Sequence, residues 1–161
     1  MPDGRAALED LLDAIEALDA DRISDALADD VTLETEVIDE PIQGKEALEE
    51  FLRSTLGSYE SIRFDRRMIV ASGSKAAALL RAHATFRANF ELFGETLPTA
   101  GKEVDVVGAL FLEVNDAGEI QRLCRVRDTL LPTQQLRISP DQVFRLALKF
   151  QEWVEQRGRR A

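Results

Sequence analysis

The stretch "VDVVGALFLEVNDAGEIQRLCRVRD", residues 104–128, decides the fold. Two runs rich in valine, leucine and isoleucine flank "NDAG", whose asparagine, aspartate and glycine favour tight turns, so the stretch reads as two antiparallel strands. The second strand ends on a puzzle. Cys124 and Val126 share one side with Asp128, while Arg125, Arg127 and Thr129 share the other. An ionised carboxylate is costly to desolvate, yet this one falls on the apolar side. The expectation is that this side faces a ligand pocket.

Working backwards, two more strand candidates lie around 62–71 and 76–93, set off by "SGS" and "FGETLPTAG", both rich in turn residues. The first third of the chain has helical periodicity instead. Leu8, Leu11, Leu12, Ile15 and Leu18 make one stripe over 5–18, and a shorter helix follows through Ile23, Ala26 and Leu27. "VTLETEV" then alternates as a half-buried strand, and "KEALEEFLRSTLG" forms a third helix between Gly44 and Gly57. Three helices followed by an antiparallel meander predict an α+β domain. Beyond it, "SPDQVFRLALKFQEWVEQ" opens with Ser139 as N-cap, Pro140 at the first helical position and Gln142 completing a capping box. The chain therefore divides into a domain over 1–138 and an amphipathic helix with a basic tail over 139–161. That helix packs on its own domain or on a partner subunit.

Composition narrows the function. With 161 residues, 45% of them hydrophobic and 31% charged, one soluble core is expected. No apolar run approaches the length of a membrane span, and the acidic N-terminus lacks the pattern of a secretory signal, so a cytoplasmic location is expected. A net charge of -10 repels a phosphate backbone and argues against nucleic acid as a partner. One cysteine and one histidine leave no zinc-binding set, and no metal site is expected. Four lysines against 30 acids also fit a protein adapted to high salt.

The order of elements and several motifs resemble the SnoaL-like polyketide cyclases of the nuclear transport factor 2-like superfamily. The resemblance spans about 7–138 and rests on "EALDADRISDALADDVTLE", "GKEALEEF", "FELFGETLPTAGKEV" and "DAGEIQRLCRVRDTLLPTQQL". It implies a curved antiparallel sheet wrapped on N-terminal helices, a cystatin-like cone with an apolar cavity, here with an extra C-terminal helix. It also implies a homodimer, and a catalytic aspartate near the end of the last strand, which here is Asp128 ahead of Gln135 and Leu136. Where such cyclases carry a histidine in the preceding strand, this sequence has Val107, Gly108, Ala109 and Leu110. The related steroid isomerases fit less well, with Thr35 and Ala14 where they need an aspartate and a tyrosine. The epoxide hydrolases of the fold need an acid two residues after Arg81, where "LLRAH" has His83.

Two readings of Asp128 follow. A carboxyl group among Val126, Cys124 and Leu130 would be desolvated and raised toward values useful for proton transfer. Alternatively, it caps the amides of Leu130 or Leu131, or pairs with a neighbouring arginine. His83 is a second acid/base candidate, although it falls on the polar face with Arg81, Thr85 and Arg87 and needs a bulge to turn inward. Arg81, Arg87, Arg125 and Arg127 form either a solvated or dimer-buried charge ladder or an anion site. Alternation assigns the cavity lining to Val31, Leu33, Phe51, Phe64, Met68, Phe86, Leu110 and Val126, with Cys124 as a small lining residue. The expected function is binding of a small, largely apolar carbonyl compound, with cofactor-free aldol or isomerase-type chemistry through Asp128. The alternative is a non-catalytic ligand-binding or dimerisation domain of the same fold.

Overall fold

The computed structural model describes residues 1–160. Only Ala161, the last residue of the basic tail, lies outside them. Helices α1 (Gly4–Glu16) and α2 (Ala20–Asp25) lead into strand β1 (Leu27–Thr35). A two-residue strand β2 (Ile42–Gln43) and helix α3 (Lys45–Leu56) follow, then the long strands β3 (Tyr59–Ser72) and β4 (Lys75–Phe86). A small hairpin, β5 (Phe90–Leu92) with β6 (Glu95–Leu97), precedes β7 (Glu103–Val114) and β8 (Ile120–Arg127). Helices α4 (Leu130–Leu136) and α5 (Pro140–Gly158) end the chain.

The main sheet has the order β2-β1-β8-β7-β4-β3, antiparallel throughout except for the β1–β8 pair. This is the mixed α+β architecture expected from the sequence, a curved sheet with helices held against its inner face. Asp3 starts α1 by accepting the amides of Arg5 and Ala6 on its carboxylate. The helix lies so close to the β3–β4 turn that a Cβ on Gly4 would sit 2.8 Å from the Ser74 and Lys75 backbone, which only glycine avoids. Leu8 and Leu12 of α1, Ile23 of α2 and Leu48 of α3 are almost wholly buried against Val31, Leu80, Leu112 and Ile120. Ser139 and Gln142 form the expected capping box at the start of α5.

Three elements depart from the sequence reading. The strand expected to run to residue 93 stops at Phe86, because the chain turns into the β5–β6 hairpin through Phe93 and Gly94, both at positive φ. Buried Thr99 secures that turn, accepting from the Phe90 amide at 2.8 Å and donating to the Ala88 carbonyl at 3.1 Å. Residues after Arg127, read as strand and tail, include the short helix α4.

The third departure matters most for function. Ile120 and Leu123 are both buried although three residues apart, a spacing that unbroken alternation forbids. The β7–β8 register explains it: Val114 faces Ile120 but Glu113 faces Arg122, so Gln121 is an extra, bulged residue. A one-residue slip reverses every later side chain. Leu123, Arg125 and Arg127 therefore turn inward, while Cys124 and Val126 turn to the outer face. Inserting one alanine between Leu123 and Cys124 should reverse the phase once more, turning Arg125 and Arg127 to the outer face and separating Arg127 from Glu36. The expected loss in urea denaturation is about 2–5 kcal/mol or more, against a change within about 0.5 kcal/mol for Gln121→Ala.

Candidate functional site

Between the inner sheet face and the helices lies a cavity of about 390 Å³. Leu12 and Ile15 of α1, Leu48 and Phe51 of α3, and Val143, Leu146 and Phe150 of α5 form its helical walls. Phe150 stacks on Phe51 at 5.1 Å and on Phe93 at 4.9 Å, so the C-terminal helix closes the cavity with aromatic surface. Ile62 and Phe64, Leu80 to Phe86 on alternate positions, Leu110 and Leu123 form the floor.

Of the residues expected to line a pocket, Leu33, Phe51, Phe64, Phe86 and Leu110 border this cavity, whereas Val126 touches its edge with its side chain on the outer face, 48% exposed. Val31 is completely buried in the hydrophobic core behind it. Met68 and Cys124 require correction. Met68 lies on the outer sheet face, 58% exposed, because β3 carries its own register shift between Arg66 and Met68. Cys124 follows the bulge at Gln121 to the same outer face, in a shallow groove with Val70, Phe111 and Glu34. Burial, together with Glu34 and Glu36, pushes its thiol up from its ordinary value, which keeps it a poor nucleophile.

Asp128 stands at the mouth, bordering the cavity but exposed. Its Oδ1 accepts the Leu130 amide at 2.9 Å and the Leu131 amide at 3.5 Å, the capping role weighed for it above. Both bonds fall on Oδ1, leaving Oδ2 without a partner among the described residues. The burial expected around this carboxyl does not occur, since the strand's apolar side faces out.

The sequence places Arg125 and Arg127 on the polar face, as a charge ladder or an anion site; the structure turns both inward, beside Tyr59. Arg127 holds Glu36 through an Nε–Oε1 contact of 2.9 Å. Gly108 lies opposite Arg127, where a Cβ would come within 2.7 Å of the Val126 carbonyl and 2.9 Å of the Arg127 Cβ. At Gly108, one of the four residues in the region without the cyclase histidine, the two backbones leave no room for a side chain. Arg125 lies deep among apolar groups, 6.0 Å over the Phe51 ring, and burial lowers its guanidinium to about 9. Tyr59 stacks on Phe86 at 4.6 Å and borders the same space, its phenol held above the ordinary range by burial. The signal in the sequence was the three-residue step from Ile120 to Leu123.

His83 is not in the cavity. It sits on the outer face between the carboxylates of Asp105, on Nδ1, and Asp65, 3.1 Å from Nε2. Hydrogen bonds to Asp65 and Asp105 raise its pKa above the usual value, while the same contact lowers that of Asp65. The raised histidine contributes stability in full below its unfolded pKa of about 6.5 and loses it as pH rises through the higher folded value. The depressed Asp65 contributes above its own unfolded pKa and loses it as pH falls. Chemical denaturation should therefore show stability declining above about pH 6.5, and His83→Gln should flatten that limb.

No helix is long and apolar enough to cross a membrane, and the described residues contain no group of three or more His, Cys, Asp or Glu placed to hold a metal ion. Among solved structures, a protein of Pseudomonas putida named as a polyketide cyclase superposes with a TM-score of 0.71 at 21% identity, over 82% of this chain and 96% of that one. An LEH-like epoxide hydrolase of M. tuberculosis gives 0.64 at 21% identity, over 83% and 89%. A computationally designed 17-OHP binder gives 0.64 at 22%, over 80% and 95%. At such identities the likeness carries the fold alone. No curated protein matches the chain. The model of the SnoaL-like domain matches residues 8–123, from α1 into β8, and the chain belongs to that family.

Proposed function

We propose that the cavity binds a small, largely apolar carbonyl compound. The observation that carries this reading is the cavity itself: about 390 Å³ of space walled by leucine, isoleucine, valine and phenylalanine, within the range of small-molecule pockets (about 300–1,000 Å³). A hydrophobic core of this size would ordinarily be filled by side chains. Neighbours named as a polyketide cyclase, an epoxide hydrolase and a designed 17-OHP binder fit a fold that accommodates such ligands.

Asp128 supplies the chemistry in this reading. With Oδ1 fixed by two amides, the free Oδ2 takes a proton from the carbon beside the ligand's carbonyl, leaving an enolate. Returning that proton at a different atom is an isomerisation; attack of the enolate on a second carbonyl of the same ligand, followed by proton return, is an aldol cyclisation. Neither outcome changes the oxidation level of the whole molecule. Asp128→Asn keeps the cap geometry and removes the base, so turnover of an enolisable ketone should fall by about 10²-fold or more while the melting temperature changes little. Unchanged exchange of the ketone's α-protons, followed by NMR in heavy water, would leave the chain as a binding domain.

The outer sheet face supports a homodimer. Met68, Leu79, Ala109 and Val126 form one row across four strands, and Val70, Ala77, Phe111 and Cys124 the next. Five of these side chains, Met68, Val70, Leu79, Phe111 and Val126, are large, apolar and exposed, which is unusual for a lone subunit. A charge in the middle of that patch, Leu79→Glu, should convert the dimer to monomer in analytical ultracentrifugation without unfolding the chain.

A further inference from the structure

Arg125 is a buried cation in the cavity wall that no carboxylate among the described residues pairs with. Its Nε is buried with no hydrogen-bond partner, and its side chain forms no ion pair or hydrogen bond with any described residue. The carboxylate that could have served it, Glu36 beyond its cross-strand partner Thr35, is taken by Arg127. What surrounds the guanidinium is the Phe51 ring, the Leu110 position opposite on β7, and the open cavity. An uncompensated buried charge is among the costlier features a fold can retain, and natural folds pair such charges. Even with burial drawing its pKa down to about 9, the group is still a cation at neutral pH.

We infer that Arg125 is the anchor for a carboxylate on the ligand, so that the compound this cavity takes is an apolar carbonyl acid bound as its anion. The inference rests on the ligand-binding reading of the cavity and narrows it. A guanidinium presents parallel N–H donors in a planar fork that matches both oxygens of a carboxylate, whereas a neutral ketone oxygen offers a single acceptor and leaves the charge unanswered. The remaining wall is aliphatic and aromatic, which excludes a small, fully hydrated anion and calls for an acid with an apolar body. Tyr59 adds to the site. Its phenol stays protonated, borders the cavity, and lies near enough to Arg125 and Arg127 to feel their charges, so it can donate to the same anion.

A pair of ligands of equal shape separates the two levels of the argument. Naphthalene carboxylate and the corresponding methyl ketone fill nearly the same volume, and only the first is charged. Isothermal titration of the full-length wild-type chain should show the carboxylate binding about thirtyfold tighter or more, the effect expected of a buried charge pair. Arg125→Met should abolish that preference, the carboxylate losing far more affinity than the ketone. It should also raise the melting temperature of the ligand-free protein, because an orphan charge gives way to an apolar side chain. Equal binding of the two compounds by wild type would overturn the carboxylate anchor and leave the cavity reading intact. A preference that survives Arg125→Met would overturn the assignment to this arginine. Failure of both compounds to bind would overturn the cavity reading and the anchor with it.

Discussion

One extra residue, Gln121, determines what the cavity is made of. Were Gln121 paired in regular alternation and not bulged, β8 would offer Cys124 and Val126 to the interior and Arg125 and Arg127 to the outer face. With the bulge, two guanidiniums enter the interior, one neutralised by Glu36 and one not. The apolar pair goes to the outer face, beside Leu79, Phe111 and Met68. The charge inside the cavity and the share of Cys124 and Val126 in the opposite surface stem from this local slip, while Met68 reaches that surface through the separate shift in β3.

The arrangement also accounts for the division of labour among the charged residues. Ion pairs at the chain's surface, such as Arg5 with Glu9 or Lys75 with Glu113, contribute little to stability because water screens them. Arg127 is different, since its partner Glu36 keeps only 16% of its side chain exposed. Removing Arg127 would leave Glu36 largely buried and unpaired, which is the costly case, whereas Arg127 keeps 37% of its side chain exposed. Gly108 belongs to the same arrangement, because only a residue without a Cβ lets β7 and β8 approach where Arg127 projects.

Much of the architecture was legible from the sequence: the three N-terminal helices from their apolar stripes, the meander from its turn residues, and the start of α5 from Ser139, Pro140 and Gln142. These features are local, set by the period of side chains and the preferences of caps. The site was legible only in part. Phe51, Phe64 and Leu110 could be assigned to the cavity because each lies in a stretch that keeps one phase, Phe64 ahead of the shift after Arg66. Met68 and Cys124 could not, since each follows a register shift, and alternation distinguishes two faces without saying which is inward. Asp128 illustrates the same limit. Its place at the end of β8 was correctly read, but its exposure depended on a side of the sheet that only the tertiary structure defines.

The aromatic run along α5 has an optical consequence. Trp153 is the chain's single tryptophan, tilted 5.1 Å from Phe93 and lying under the Arg157 guanidinium at 4.6 Å. Phe93 in turn stacks on Phe150, which forms part of the cavity wall. Any displacement of that wall is passed through two ring contacts to an indole whose emission depends on the nearby cation, so the protein carries a native fluorophore beside the cavity that needs no label to register a change within it.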